Sequence, residues 1–182
     1  METIADRYRR LRNAFAAKAE CVPPRRWEHP SPCEQWTARD VVGHIVETQQ
    51  MFEGLVGRTL QPGPALADDP AGAFWAATDQ VQAHLDDPEA AAAEFDGAFG
   101  RTTFADAVEQ FLCFDLVVHG WDLSRATGLD ERIDPVDVSS VRARAEELGD
   151  MLRSPNVCGP EVPIPADSTD QDKLLAFLGR KP

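Results

Sequence analysis

An aspartate and a histidine stand four residues apart in Phe111-Leu-Cys-Phe-Asp115-Leu-Val-Val-His119-Gly-Trp-Asp122-Leu, a stretch that is otherwise apolar and helical in pattern. At 3.6 residues per turn, side chains at i and i+4 lie one above the other on a single face. Phe104, Val108, Phe111, Asp115 and Val118 share that face, so Asp115 falls where a core residue is expected. An ionised carboxylate is costly in a core unless it is paired or bound to a metal. A second interruption occurs at His44, among Val41, Val42, Ile45 and Phe52. Two apolar faces broken by donors, and able to pack on each other, point to a metal site inside a helical bundle.

Two imidazoles and a carboxylate, His44, Asp115 and His119, make a sensible donor set for a divalent cation such as zinc, nickel or iron. Three protein donors leave a coordination position for water or substrate. Spacing alone also fits a hydrogen-bonded core or surface pair. Asp122, three residues beyond His119, is either an acceptor that orients a ligand ring or a partner for Arg125. Glu47, one turn after His44, is within reach as a proton acceptor, or else is a solvated surface carboxylate. His29 and His84 read as ordinary, and Trp27, Trp36, Trp75 and Trp121 as packing anchors rather than a substrate platform. No G-x-S-x-G elbow, glycine-rich phosphate loop or H-E-x-x-H zinc-protease motif is present.

Several helices are needed to position these groups. Ile4, Tyr8, Leu11 and Phe15 recur at helical spacing over about Ile4 to Ala19, and Pro23 and Pro24 stop that run. After an irregular connector from Trp27 to Trp36, Thr37 and Asp40 form a reciprocal cap for a helix ending near Gly57. Asp69 and Pro70 begin a third helix, through Phe74, Trp75, Val81 and Leu85. Asp86 to Gly100 reads as a loop with a short helical turn. Thr103, capped reciprocally by Asp106, opens the fourth and longest helix, which runs to about Thr127 and stops at Gly128. A further helix spans about Val138 to Leu152, and Cys158 to Pro165 is extended. Ser168 and Gln171 cap a last short helix closed by Gly179. The fold class is all-α: a four-helix core with additional C-terminal helices and an extended segment.

At 182 residues the chain fits one domain, residues 1–182, with a core large enough to need no staples. The net charge of -13 argues against nucleic-acid backbones and anionic membranes as partners. Cys21, Cys33, Cys113 and Cys158 are scattered without a C-x-x-C pair, and no apolar leader or membrane-spanning run is present. A cytoplasmic location is therefore expected.

Three blocks carry a family resemblance. Trp27-Glu-His-Pro-Ser-Pro-Cys-Glu-Gln-Trp-Thr-Ala-Arg-Asp-Val-Val-Gly-His44 resembles the opening block of actinobacterial metal-binding proteins of the DinB-like, mycothiol-dependent maleylpyruvate isomerase superfamily. His119-Gly-Trp-Asp-Leu-Ser-Arg-Ala-Thr-Gly128 resembles the second block. Pro165-Ala-Asp-Ser-Thr-Asp-Gln-Asp-Lys-Leu-Leu-Ala-Phe-Leu-Gly-Arg180 resembles the terminal one. The resemblance implies an up-down-down-up four-helix bundle holding a divalent metal, with His44 matching the first ligand. Asp115 and His119 match the acidic-x-x-x-His element, with Asp where the isomerases have Glu. Many relatives use three histidines instead, and others have lost the metal. The implied chemistry is a thiol transferase or isomerase: the metal, zinc by preference, activates a small thiol such as mycothiol toward a small electrophile, and Glu47 or Asp122 handles protons. The competing expectation is a non-catalytic, stress-associated protein that binds metal or a small ligand, as a monomer or homodimer.

Overall fold

Capping side chains set the helix boundaries in the computed structural model, which describes residues 2–97, 99–154 and 157–182. Helix α1 (Ile4–Glu20) begins at Thr3, whose hydroxyl accepts from the Asp6 amide. Helix α2 (Ala38–Leu55) starts with the reciprocal Thr37–Asp40 box. In α3 (Pro70–Asp86), Asp69 accepts from the Gly72 amide and Pro70 fills the first turn. Helix α6 (Cys113–Thr127) ends at Gly128, whose left-handed φ of 74° lets its amide bond back to Ser124 O.

Helices α1, α3, α2 and α6 pack as a closed ring of neighbours in that order. Specific pairs fix their directions. Arg9 near the start of α1 meets Asp86 at the end of α3, and Trp75 donates to Glu20, so these two run antiparallel. Lys18 reaches Ser124, and Arg7 pairs with Glu109 just upstream of α6, so α1 and α6 are parallel. His44 faces Asp115 while Phe52 faces Phe111, which makes α2 and α6 antiparallel. His84 bonds Glu53, late residue to late residue, so α2 and α3 are parallel and a long connection joins them. The result is the up-down-down-up order. Phe15 stacks on Phe74 in the core, with ring centroids 4.7 Å apart. Tyr8 donates to Gln49 at 2.7 Å, and burial pushes its phenol pKa up, so it stays a neutral donor.

The structure differs from the sequence reading at several points. The 86–100 region holds a short helix, α4 (Pro88–Ala91), and then strand β1 (Glu94–Gly97), paired antiparallel with β2 (Gly100–Thr103). Each strand has only four residues, too few for an alternation to stand out. The long fourth helix is continuous but not uniform: α5 (Phe104–Ala107) passes into a π-helical segment, Val108–Leu112, before α6. A π turn accommodates an extra residue, so the inward face shifts. Leu112 and Leu116 are buried while Phe111 and Asp115 stand at the rim. Helix α7 (Pro135–Leu148) begins at Pro135 and tightens into a 3-10 turn, Gly149–Arg153. Thr169 rather than Ser168 caps α8 (Asp170–Phe177), accepting from Asp172, not Gln171. Gln171 instead accepts from the Ile133 amide. No helix among the described residues is long and apolar enough to cross a membrane.

Replacing Phe74, fully buried against Phe15, by Ala is expected to cost about 3–5 kcal/mol in urea unfolding. Val136→Ala, on the exposed start of α7, should stay within about 0.5 kcal/mol of the parent.

Candidate metal centre

The antiparallel seam of α2 and α6 brings the three sequence-selected donors together. One donor atom each from His44, Asp115 and His119 lies within 4.8 Å of the others. His44 Nε2 is 3.4 Å from Asp115 Oδ2, and the two imidazoles meet edge to face with centroids 4.7 Å apart. Donors at about 2.05 Å around a tetrahedral cation are separated by about 3.3 Å, so the His44–Asp115 spacing needs little adjustment. The same spacing is long for a charge-assisted hydrogen bond. Asp115 does not sit in the core as its apolar neighbours suggest: the π segment leaves it at the rim, its side chain 24% exposed beside His44 at 27%. The His119 side chain is deeper, at 11%.

His119 is held from behind. Its Nδ1 lies 2.9 Å from Asp122 Oδ2. Arg180 donates to the same carboxylate, Nη2 to Oδ2 at 2.8 Å and Nε to Oδ1 at 3.3 Å. Burial alone would raise the Asp122 carboxyl. The hydrogen bond with His119 and the Arg180 charge outweigh it, holding the group well below the usual carboxylate range. An ionised carboxylate can only accept, so the proton of a neutral His119 resides on Nδ1 and the Nε2 lone pair is left for the seam. Asp122 is therefore Arg180's partner and not Arg125's, which pairs with Glu131 at 2.9 Å.

The connector between α1 and α2 supplies two side chains whose roles the sequence did not reveal. It folds back through a Pro30–Thr37 bridge and a Ser31 N–Trp36 O bond of 2.8 Å, with Gln35 in the left-handed region at φ 67°. Trp36 thereby lies against both imidazoles, with centroids 4.9 Å from His44 and 5.8 Å from His119. Cys33 Sγ donates to Asp122 Oδ2 at 3.3 Å. Burial, with the Asp122 charge beside it, pushes this thiol up to about 12, so it remains protonated. Cys33, His119 and Asp122 form a second set of donors close enough for a cation, but the Arg180 guanidinium already brings a positive charge to that set. The order of the chain offered one signal for these residues: Cys33 and Trp36 lie in the block before His44, and Arg180 in the terminal block.

Of the remaining residues, Glu47 is exposed on α2 one turn from His44 and makes no hydrogen bond or ion pair among the described residues. His29 contacts Arg26 outside the seam, and His84 pairs with the buried Glu53. A depressed carboxyl stabilises the fold fully above its unfolded value of about 3.9 and loses that contribution as pH falls toward the folded value. Asp122→Asn is therefore expected to cost about 3–5 kcal/mol at pH 7, since it leaves Arg180 buried without a counter-charge. In denaturant titrations the parent's advantage should shrink steadily below about pH 4. A constant difference across that range would contradict the assignment.

Residues 8–124 match the family model of the mycothiol maleylpyruvate isomerase N-terminal domain. Two Mycobacterium tuberculosis proteins, one from strain CDC 1551 / Oshkosh and one from strain H37Rv, are each 29% identical to the chain over 175 residues. The alignments span 95% of this chain and 95% of each relative, and both are named only as uncharacterized proteins. No solved structure matches significantly. The matched segment contains all three seam donors together with Cys33, Trp36 and Asp122, and it covers well over half of the sequence. This chain belongs to the mycothiol maleylpyruvate isomerase N-terminal domain family.

Proposed function

We propose that His44, Asp115 and His119 hold one divalent cation, zinc by the character of the donors, and that the protein uses it to transfer a low-molecular-weight thiol to a small electrophile. The observation that carries this reading is the convergence of the three donors at the rim while His119 Nδ1 is engaged by Asp122. That arrangement fits a cation: two nitrogens and one oxygen lie within 4.8 Å of one another, and the His119 ring is held from behind by a carboxylate, the usual support of a metal-bound histidine. The partly exposed His44 and Asp115 leave an open side where a ligand can enter. A divalent cation there would supply Lewis acidity that lowers the pKa of a bound thiol.

The chain's own residues divide the remaining work. Trp36 walls the imidazoles on one side and limits approach to the open side. Glu47 is the group we assign to the proton, because it is exposed, carries no partner among the described residues and follows His44 by one turn. It accepts the S–H proton as sulfur adds to an electrophilic carbon–carbon double bond, whose π electrons move to the neighbouring carbon, and it returns the proton to that carbon. Asp122, deep and ionised, orients His119 and does not exchange protons. Mycothiol is the thiol that the family points to. We favour transfer over isomerisation of a dicarboxylate, since Arg180, the cation beside the seam, is committed to Asp122. A reducing cytoplasm suits both the thiol and the four free cysteines.

Elemental analysis of protein purified without a metal-affinity tag should find about one metal per chain in the parent and under a tenth of that in H44A, D115A or H119A. Equal metal in the parent and H119A would remove His119 from the set. With metal content unchanged, Glu47→Gln should slow conjugation of the thiol to a chromogenic electrophile about 100-fold. Metal retained without any thiol consumption would favour a non-catalytic metal- or ligand-binding protein.

A further inference from the structure

We infer that Arg180 is a positioning residue for His119, acting through Asp122 to fix which imidazole nitrogen faces the α2–α6 seam. This rests on reading the seam donors as a cation site. Arg180 is 8% exposed and lies 58 residues beyond Asp122, so its approach is built by the fold rather than by local sequence. Gly179 makes that approach possible. It follows α8 with φ 81°, and a Cβ there would come within 3.0 Å of the Gly159 backbone. The chain thus turns tightly enough for the Arg180 amide to bond Leu175 O at 2.8 Å and for Nη1 to bond Leu178 O at 2.9 Å.

From there the side chain grips Asp122 in a fork, and its remaining edges touch Cys33 Sγ at 3.7 Å and Cys158 Sγ at 3.8 Å. Two consequences follow. The Asp122 carboxylate, 0% exposed, is held between the guanidinium fork on one side and His119 Nδ1, 2.9 Å away, on the other, which fixes the imidazole edge that faces it. The same guanidinium also lies against Asp122 and both sulfurs, and its positive charge disfavours a second cation at the Nδ1 edge. Without Arg180, Asp122 loses its counter-charge, and His119 is no longer restricted to one tautomer.

The test reads His119 directly. Imidazole 15N NMR of metal-free protein near neutral pH should show one tautomer, Nδ1–H, in the parent. Arg180→Gln should populate the Nε2–H form visibly and weaken Co2+ binding, followed by visible absorption, about 10–100-fold. Arg180→Lys keeps the charge but not the fork, and should lose less. Arg10→Met breaks a remote ion pair with Asp137 and should leave both readouts unchanged, which separates positioning from general destabilisation. A parent His119 in the Nε2–H form, or a folded Arg180→Gln with parental tautomer and Co2+ affinity, overturns the proposal. If Arg180→Gln does not fold, Arg180→Lys decides: a shift in either readout supports it, and no shift in both overturns it. If even the parent binds no Co2+, the cation reading fails, and the tautomer measurement still decides the role of Arg180.

Discussion

Asp122 is a carboxylate with no access to water, and the seam depends on how it is satisfied. Transferring such a group from solvent costs several kcal/mol, which only well-aligned partners offset. The fold surrounds it with three: an imidazole from the same helix, a thiol from the α1–α2 connector and a guanidinium from beyond α8. The connector, the longest core helix and the C-terminal segment are thus tied together at one buried charge.

What lies in front of that charge is less enclosed than what lies behind it. Asp115 and His44 meet at the rim, and Trp36 closes one flank without sealing the site. A dry, fixed rear and an open front suit a centre that must hold its donors steady while admitting a ligand. A closed structural zinc site would instead fill all four positions with protein donors. The four packed helices lie behind the seam.

Features declared by short-range chemistry were readable from the sequence. The caps at Thr37, Asp69 and Thr103, the αL stop at Gly128 and the apolar spacing of four helices gave the bundle directly. His44, Asp115 and His119 stood out because polar donors interrupted those faces. Less was legible where the structure turned on contacts distant in sequence. Asp122 looked as though it could pair with the nearby Arg125, but its partner comes from Arg180, and nothing in local spacing signals a pairing over 58 residues. Trp36 reads as a packing anchor until the connector is seen to fold back on the imidazoles. The strand pair 94–97 and 100–103 is hidden in the sequence by its brevity and by the alanine run before it. A uniform 3.6-residue repeat puts Asp115 in the core, but the segment Val108–Leu112 does not keep that repeat.

That departure from the repeat has a further consequence. Each residue of an α-helix turns the chain by about 100°, so the five residues Val108–Leu112 act as a phase adjuster between the upstream core face and the donors downstream. Relaxing this stretch to regular geometry would keep the Asp-x-x-x-His spacing intact while rotating both donors away from α2. The orientation of the pair is therefore encoded outside the pair itself. Two chains with the same donor residues and different lengths of this spacer would present different edges to the same neighbour, so the Asp-x-x-x-His spacing alone does not fix which way the pair faces.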